Sequence, residues 1–293
     1  MEMRPTAAHD TAFGERVRPL SPALGIEVRG LDLAAPLDAD TVRTIRGLLY
    51  QHCVLLVRGQ RIDEEQQVRF GEYFGHLANT LGKYAINRTT HPAIMYVTNE
   101  KENGQYVGAL PDGEMYFHSD RCYVARPCLA TMLYAIDIPS VGGNTLFANQ
   151  YRAYETLPEP VRLRVEGLRA MHAYEPGAAD NYAAPISKTT PSAKALRHAH
   201  PMVVTHPGTG RKALYVNRLM TEYVEGLPRA ESDALLEFLF DHQEQPQFVY
   251  EHRWIPGDVV IWDNRCVLHA RTDFNPGEAR KLRRVVVDTE DAI

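Results

Sequence analysis

The chain is poor in cysteine: four residues in 293, namely Cys53, Cys122, Cys128 and Cys266, with no C-x-x-C pair among them. That excludes a disulfide framework and a cysteine-rich zinc cluster, and leaves small buried thiols in a reducing, cytoplasmic setting as the expectation. Long apolar runs are missing too. None approaches the roughly 20 residues of a membrane-spanning helix, and the segment up to Arg18 mixes charges with alanines, unlike a secretory signal. Nor is there a surplus of positive charge: 32 Lys and Arg stand against 37 Asp and Glu, a formal net charge of −5. This argues against nucleic acid or an anionic membrane as the partner. A small molecule remains, anionic ones included, because a local arginine cluster matters more to a pocket than net charge.

What is present is ordinary globular material, 44% hydrophobic and 24% charged, enough for one substantial core. Residues 1–16 read as a flexible arm. Residues 17–293 read as one domain with loop insertions near 77–114 and 176–200. Leu24 to Val28 reads as a strand, Ala39 to His52 as an amphipathic helix capped by Asp38 or Asp40, and Val54 to Val57 as a buried strand. Asp63 caps a second helix running to about Phe74. Further strands are expected at Leu129 to Ala135, Thr145 to Phe147, Phe248 to Trp254, Val259 to Asp263 and Arg283 to Asp288. Two short helices fall within 149–167, and a longer one covers Glu231 to Phe240. Val203 to His206 and Ala213 to Val216 flank a hairpin turn. The expected fold is mainly β with flanking helices, an antiparallel sandwich or jelly roll.

The chemistry concentrates at His118-Ser119-Asp120, which ends the run Met115-Tyr116-Phe117, and at His269 far downstream. Two imidazoles and one carboxylate, with three positions left open, make the facial triad of non-haem Fe(II) oxygenases. Residues i and i+2 share a strand face, so one strand end can supply two ligands and a neighbouring strand the third. H-x-D alone is a weak signal in a chain with 12 histidines. His242-Gln243-Glu244 has comparable chemistry at a solvated helix end, and His198 and His200 sit in a loop-like stretch. Company raises the first triplet. Arg280 and Arg284 follow His269, and Thr145 follows Gly142-Gly143. A 2-oxoglutarate that chelates iron through its 1-carboxylate and 2-keto oxygens leaves a distal carboxylate, which an arginine fork and a hydroxyl suit.

Four stretches carry a resemblance over nearly the whole chain. They are Phe117-His118-Ser119-Asp120, Gly142-Gly143-Asn144-Thr145-Leu146-Phe147-Ala148, Thr205-His206-Pro207 through Leu214-Tyr215-Val216-Asn217, and Ile261-Trp262-Asp263-Asn264-Arg265 through His269. Jointly the chain resembles the taurine dioxygenase / 2,4-dichlorophenoxyacetate dioxygenase family of Fe(II)/2-oxoglutarate-dependent dioxygenases. The resemblance implies a double-stranded β-helix core with His118, Asp120 and His269 as iron ligands. It implies that Thr145 and Arg280 hold the distal carboxylate of 2-oxoglutarate, that O₂ is the other cosubstrate, and that Arg284 faces an anionic group of the substrate. Family members form dimers or tetramers, so a homo-oligomer is compatible with it. An aspartate ligand, absent from halogenases of this class, points to hydroxylation, desaturation or cleavage.

Departures bear on the substrate. Ala78 follows Phe74-Gly75-His76-Leu77 where the taurine enzyme has a histidine, Glu114 replaces an asparagine, Met220 an aromatic, and Arg121 an apolar residue. These point away from taurine. Arg121 either meets a substrate anion or pairs with Glu114. Tyr106, Tyr116, Tyr123 and Met220 are candidate substrate walls. Asp263 and Asn264 are candidates for orienting the ligand imidazoles. A small anionic organic substrate is the expectation, with an amino-acid-like or natural-product intermediate as the alternative. A non-catalytic metal-binding jelly roll and a zinc hydrolase on the same ligands are the rivals, and neither needs a cosubstrate anchor.

Overall fold

The computed structural model describes residues 13–80, 89, 91–109, 113–175, 184–189 and 191–289. Two sheets face each other. The larger has seven strands in the spatial order Val17–Pro19, Ile26–Val28, Val54–Val57, Val259–Asp263, Cys128–Asp137, Lys281–Asp288 and Met95–Thr98. The smaller has four, in the order Val249–His252, Thr145–Asn149, Val267–Arg271 and Met115–His118. Pairing within both is antiparallel except between Ile26–Val28 and Val54–Val57, which are parallel and joined across the helix Ala39–His52. This is a jelly-roll core with flanking helices, the mainly β fold expected.

Strand alternation divides the core into two layers. Val260 and Trp262 join Leu133, Phe147 and Val267 between the sheets. Their neighbours Val259 and Ile261 join Ile45, Leu48, Phe70 and Val285 on the other face, under the helices. Covered on both faces, Val259–Asp263 is buried at every position, which explains its unbroken apolar run. Asp38 caps the first helix by accepting from the amides of Asp40 and Thr41, which resolves the choice between Asp38 and Asp40. Asp63 and Gln66 form a reciprocal capping box on Glu64–Glu72.

The structure corrects the sequence reading in three places. Residues 77–114 are not uniformly loop: Met95–Thr98 completes the large sheet against Lys281–Asp288, and Lys101–Glu102 pairs with Gln105–Tyr106. The stretch 176–200 ends in the strand Leu196–Pro201, which pairs with Arg169–Tyr174 in a three-stranded sheet completed by Thr221–Val224. Histidines occupy inward positions there, since His172 and His200 are buried, so the sequence lacks the aliphatic alternation that marks a strand. Finally, Phe13 is buried in the core beneath the helices and Gly14–Arg16 forms a 3₁₀ turn, so the end of the expected arm is docked. Residues 1–12 lie outside the described residues. Among the described residues, no helix is long and apolar enough to cross a membrane.

Candidate active site

His118 ends the strand Met115–His118, and His269 lies directly opposite it on Val267–Arg271. Their ring centroids are 4.1 Å apart. Asp120 is not on the strand. It sits in the turn beyond His118, so the turn, rather than strand alternation, brings the carboxylate to the imidazoles. Asn264 shapes that turn: its carbonyl accepts from Ser119 Oγ at 2.8 Å and its Oδ1 from the Asp120 amide at 3.3 Å. Asp120 Oδ1 then lies 4.0 Å from His118 Nε2, and Oδ2 lies 3.9 Å from His269 Nε2. One donor atom from each of the three falls within 4.8 Å of the others, and among the described residues this is the one group with that property.

The electrostatics suit a divalent cation. His118 Nδ1 is 2.9 Å from the Tyr116 carbonyl, which can only accept, so Nδ1 carries the proton and Nε2 offers its lone pair. Burial pushes the pKa of both imidazoles down, and for His269 the neighbouring His118 adds to it. Burial alone would raise Asp120. The charge of Arg284, then the two imidazoles and a hydrogen bond from Thr131, outweigh it and hold the carboxyl well below the usual range. Two neutral imidazoles and one carboxylate are the donor set that Fe(II) takes in a facial triad.

A cavity beside the triad is lined by Thr145, Arg271, Arg280 and Arg284. Thr145 begins the strand Thr145–Asn149 and accepts from Trp254 Nε1 at 3.0 Å. Arg280 is 3% exposed and donates through Nε to the Gly143 carbonyl at 3.1 Å. A side chain at Gly143 would put its Cβ 3.0 Å from that Nε, at a backbone φ of +65°. Glycine there is what lets the guanidinium reach the cavity. No carboxylate pairs with Arg280 among the described residues, and burial, then the charge of Arg271, pushes its pKa down to about 9. A buried cation in that state favours an anionic ligand.

Arg284 forms an ion pair with Asp120, its guanidinium nitrogen 2.6 Å from Oδ2. It lines both this cavity and a neighbouring one, where Arg121, Tyr123, Tyr174 and Met220 also sit. Tyr123 stacks on Tyr174 with centroids 4.7 Å apart, and Met220 touches Cys122 through sulfur at 3.7 Å. Arg121 pairs with Asp288, not with Glu114, so its charge is already met. Tyr106 and Tyr116 are exposed and line neither cavity. A cavity of about 580 Å³ lies elsewhere, lined by Phe74, Leu129, Val204 and His206 among others, and holds none of the triad.

The expected imidazole support is also corrected. Asp263 accepts from His206 at 3.0 Å and from Arg265 at 2.9 and 2.6 Å in a fully buried cluster, and it reaches neither ligand histidine. Asn264 serves the carboxylate arm instead. Sequence reasoning missed Arg271, Trp254 and Thr131. Arg271 had a signal, its i+2 spacing from His269, and its backbone pairs with that of Thr145. Thr131 had one as well, as a lone hydroxyl inside the apolar run Leu129 to Ala135.

Residues 16–286 match the family described as taurine catabolism dioxygenase TauD, TfdA family. The chain belongs to the TauD/TfdA family. It is 35% identical over 292 residues to the alpha-ketoglutarate-dependent 2,4-dichlorophenoxyacetate dioxygenase of Cupriavidus pinatubonensis, covering 94% of this chain and 98% of that one. It is 34% identical over 283 residues to pentalenolactone F synthase of Streptomyces avermitilis, covering 92% of each. The crystal structure of a taurine dioxygenase from Burkholderia xenovorans superposes with a TM-score of 0.77 at 30% identity, covering 94% of this chain and 90% of that one. The solved complex of AAD-2 with Mn(II) and N-oxalylglycine gives a TM-score of 0.78 at 26% identity, covering 94% and 98%. The TauD/TfdA enzymes are 2-oxoglutarate-dependent dioxygenases that use Fe(II), 2-oxoglutarate and O₂, and this chain is one of them.

Proposed function

We propose that His118, Asp120 and His269 hold Fe(II), that Arg280 and Thr145 hold the distal carboxylate of 2-oxoglutarate, and that Arg284 receives an anionic group of a small organic substrate. The product is a hydroxylated, desaturated or cleaved molecule, with release of succinate and CO₂. When bound, the metal and 2-oxoglutarate supply the oxidising power for attack on a substrate C–H bond. The chain supplies position. Arg280 offers a fork that its anchorage to Gly143 holds in place. Burial of His118, 2% exposed, limits the access of bulk water to the reacting centre.

The observation that carries the substrate assignment is the placement of Arg284. It touches Asp120 and lines the cavity next to the cosubstrate cavity, so an anion held there sits beside the metal. Arg121 lines the same neighbouring cavity, with its guanidinium held by Asp288. Misplacing the reacting bond by about 1 Å costs on the order of 100-fold, which makes such an anchor worth having.

A screen of carboxylic, sulfonic and sulfate-ester acids for stimulated succinate release tests this reading, with Arg284→Gln as the companion variant. Stimulation by an acid, and a raised KM for it in the variant, is expected. Stimulation by neutral compounds alone would overturn the anionic assignment. A second reading, oxidation of a larger natural-product intermediate, is favoured by the apolar walls Met95, Met220 and Val286 and by the similarity to pentalenolactone F synthase.

A further inference from the structure

Asp120 is the ligand with the least rigid attachment, because its strand has already ended. What holds its carboxylate is a chain of hydrogen bonds that runs from Thr131 through Asn264 to Trp262. Thr131 Oγ1 lies 2.6 Å from Asp120 Oδ2, Asn264 Nδ2 lies 3.0 Å from Thr131 Oγ1, and Trp262 Nε1 lies 3.1 Å from Asn264 Oδ1. Thr131, Trp262 and Asn264 are each at most 1% exposed, so water does not compete for these bonds.

The direction of every bond follows from the chemistry of one end. An indole nitrogen can only donate. Trp262 therefore fixes the Asn264 amide with its oxygen towards the indole, an orientation the Asp120 amide reinforces by donating to the same oxygen. The amide nitrogen must then face Thr131 and donate to its hydroxyl oxygen. With that lone pair used, the Thr131 proton points at Asp120 Oδ2. Arg284 forms an ion pair with the same oxygen, and Oδ1 carries no hydrogen bond among the described residues. Register places the parts: Trp262 pairs with Thr131 across adjacent strands, so the relay runs over two strands and a turn of the framework.

We propose that Thr131 is a positioning residue for the metal site, and that Trp262 and Asn264 set its polarity so that Oδ2 is held by the Thr131 hydroxyl and the Arg284 charge and Oδ1 alone is offered to the cation. This rests on the assignment of His118, Asp120 and His269 as ligands. Thr131 touches neither cosubstrate nor substrate cavity, and it acts through Asp120.

The test is metal affinity of the full-length apoprotein, read by Mn(II) titration from the electron paramagnetic resonance signal of free Mn(II), with the visible spectrum of the Co(II) form as a second readout. Thr131→Val keeps the branched shape and removes the donor. Loss of a partner behind a ligand typically costs about 10–100-fold in metal affinity, and that weakening is expected, with shifted Co(II) bands. Thr131→Ser should restore both. Should the valine variant not fold, Thr131→Ala carries the same test. His118→Ala separates the two levels. If it abolishes Mn(II) binding while Thr131→Val and Thr131→Ala bind as wild type with unchanged spectra, the relay is refuted and the ligand set stands. If His118→Ala also binds as wild type, the ligand set itself is refuted. Weakening in Thr131→Ser equal to that in Thr131→Val would assign the effect to packing and overturn the proposal.

Discussion

His118 and His269 lie directly opposite one another on neighbouring antiparallel strands, 151 positions apart in the chain, with ring centroids 4.1 Å apart. A one-residue slip in that register would send one imidazole to the other face of the sheet. The candidate metal site therefore depends on the register between the last strand of the smaller sheet and its neighbour.

His118→Ala leaves the fold in place and removes one donor of three. Substrate-dependent succinate formation should fall to background, while the far-ultraviolet circular dichroism and the thermal midpoint stay close to wild type. Full turnover in this variant would remove His118 from the ligand set.

Arg280→Ala removes the buried fork of the cosubstrate cavity. A hydrogen bond to a charged group contributes about 1.5–3 kcal/mol, so the KM for 2-oxoglutarate should rise on the order of 10–100-fold. Fe(II) dependence should move much less, and steady-state kinetics with each component varied in turn separates the two. Gly143→Ala should raise the same KM without touching the guanidinium chemically, because the new Cβ meets Arg280 Nε at 3.0 Å.

Asp263→Ala tests the reassignment of a residue that sequence reasoning had placed behind the imidazoles. It would leave Arg265 and His206 buried without their carboxylate, which typically costs about 3–5 kcal/mol. Urea denaturation should show that loss. In whatever folded fraction remains, Mn(II) affinity should match wild type, since Asp263 bonds to His206 and Arg265 only within its own buried cluster. A selective loss of metal affinity would restore the earlier role.

His172 makes stability depend on acid. Burial, then the charges of His200 and His198, pushes its pKa down from 6.5 to about 3. Between those values the unfolded chain holds a proton that the native imidazole does not, so stability rises with pH. Its contribution to instability is absent above about pH 6.5 and grows as pH falls towards about 3. His172→Gln, which keeps a partner for the Thr221 hydroxyl, should flatten the urea midpoint between pH 6.5 and 4 relative to wild type. An unchanged slope would place the acid sensitivity elsewhere.

Much of this protein was legible along the chain because the information is local. Asp38 and Asp63 cap helices through backbone amides two or three residues away, so the signals survive in sequence. Val259 to Ile261 announces a strand covered on both faces by its own composition. His118, Asp120, Thr145, His269 and Arg280 carry distinctive chemistry at distinctive spacings, and the structure brings all five to one cavity.

Other features needed the folded chain, because their partners are remote and chemically unremarkable. Nothing near Arg121 in sequence points to Asp288, 167 positions away, yet that pairing meets its charge with a carboxylate. The strands around His172 and His200 fill inward positions with imidazoles, so their periodicity is hidden until a sheet forms. The sequence by itself determined the candidate metal donors and the class of fold, through residue type and local spacing. Tertiary structure decided which hydroxyl, amide and indole hold the Asp120 carboxylate, because the direction of a hydrogen bond is set only when donor and acceptor meet.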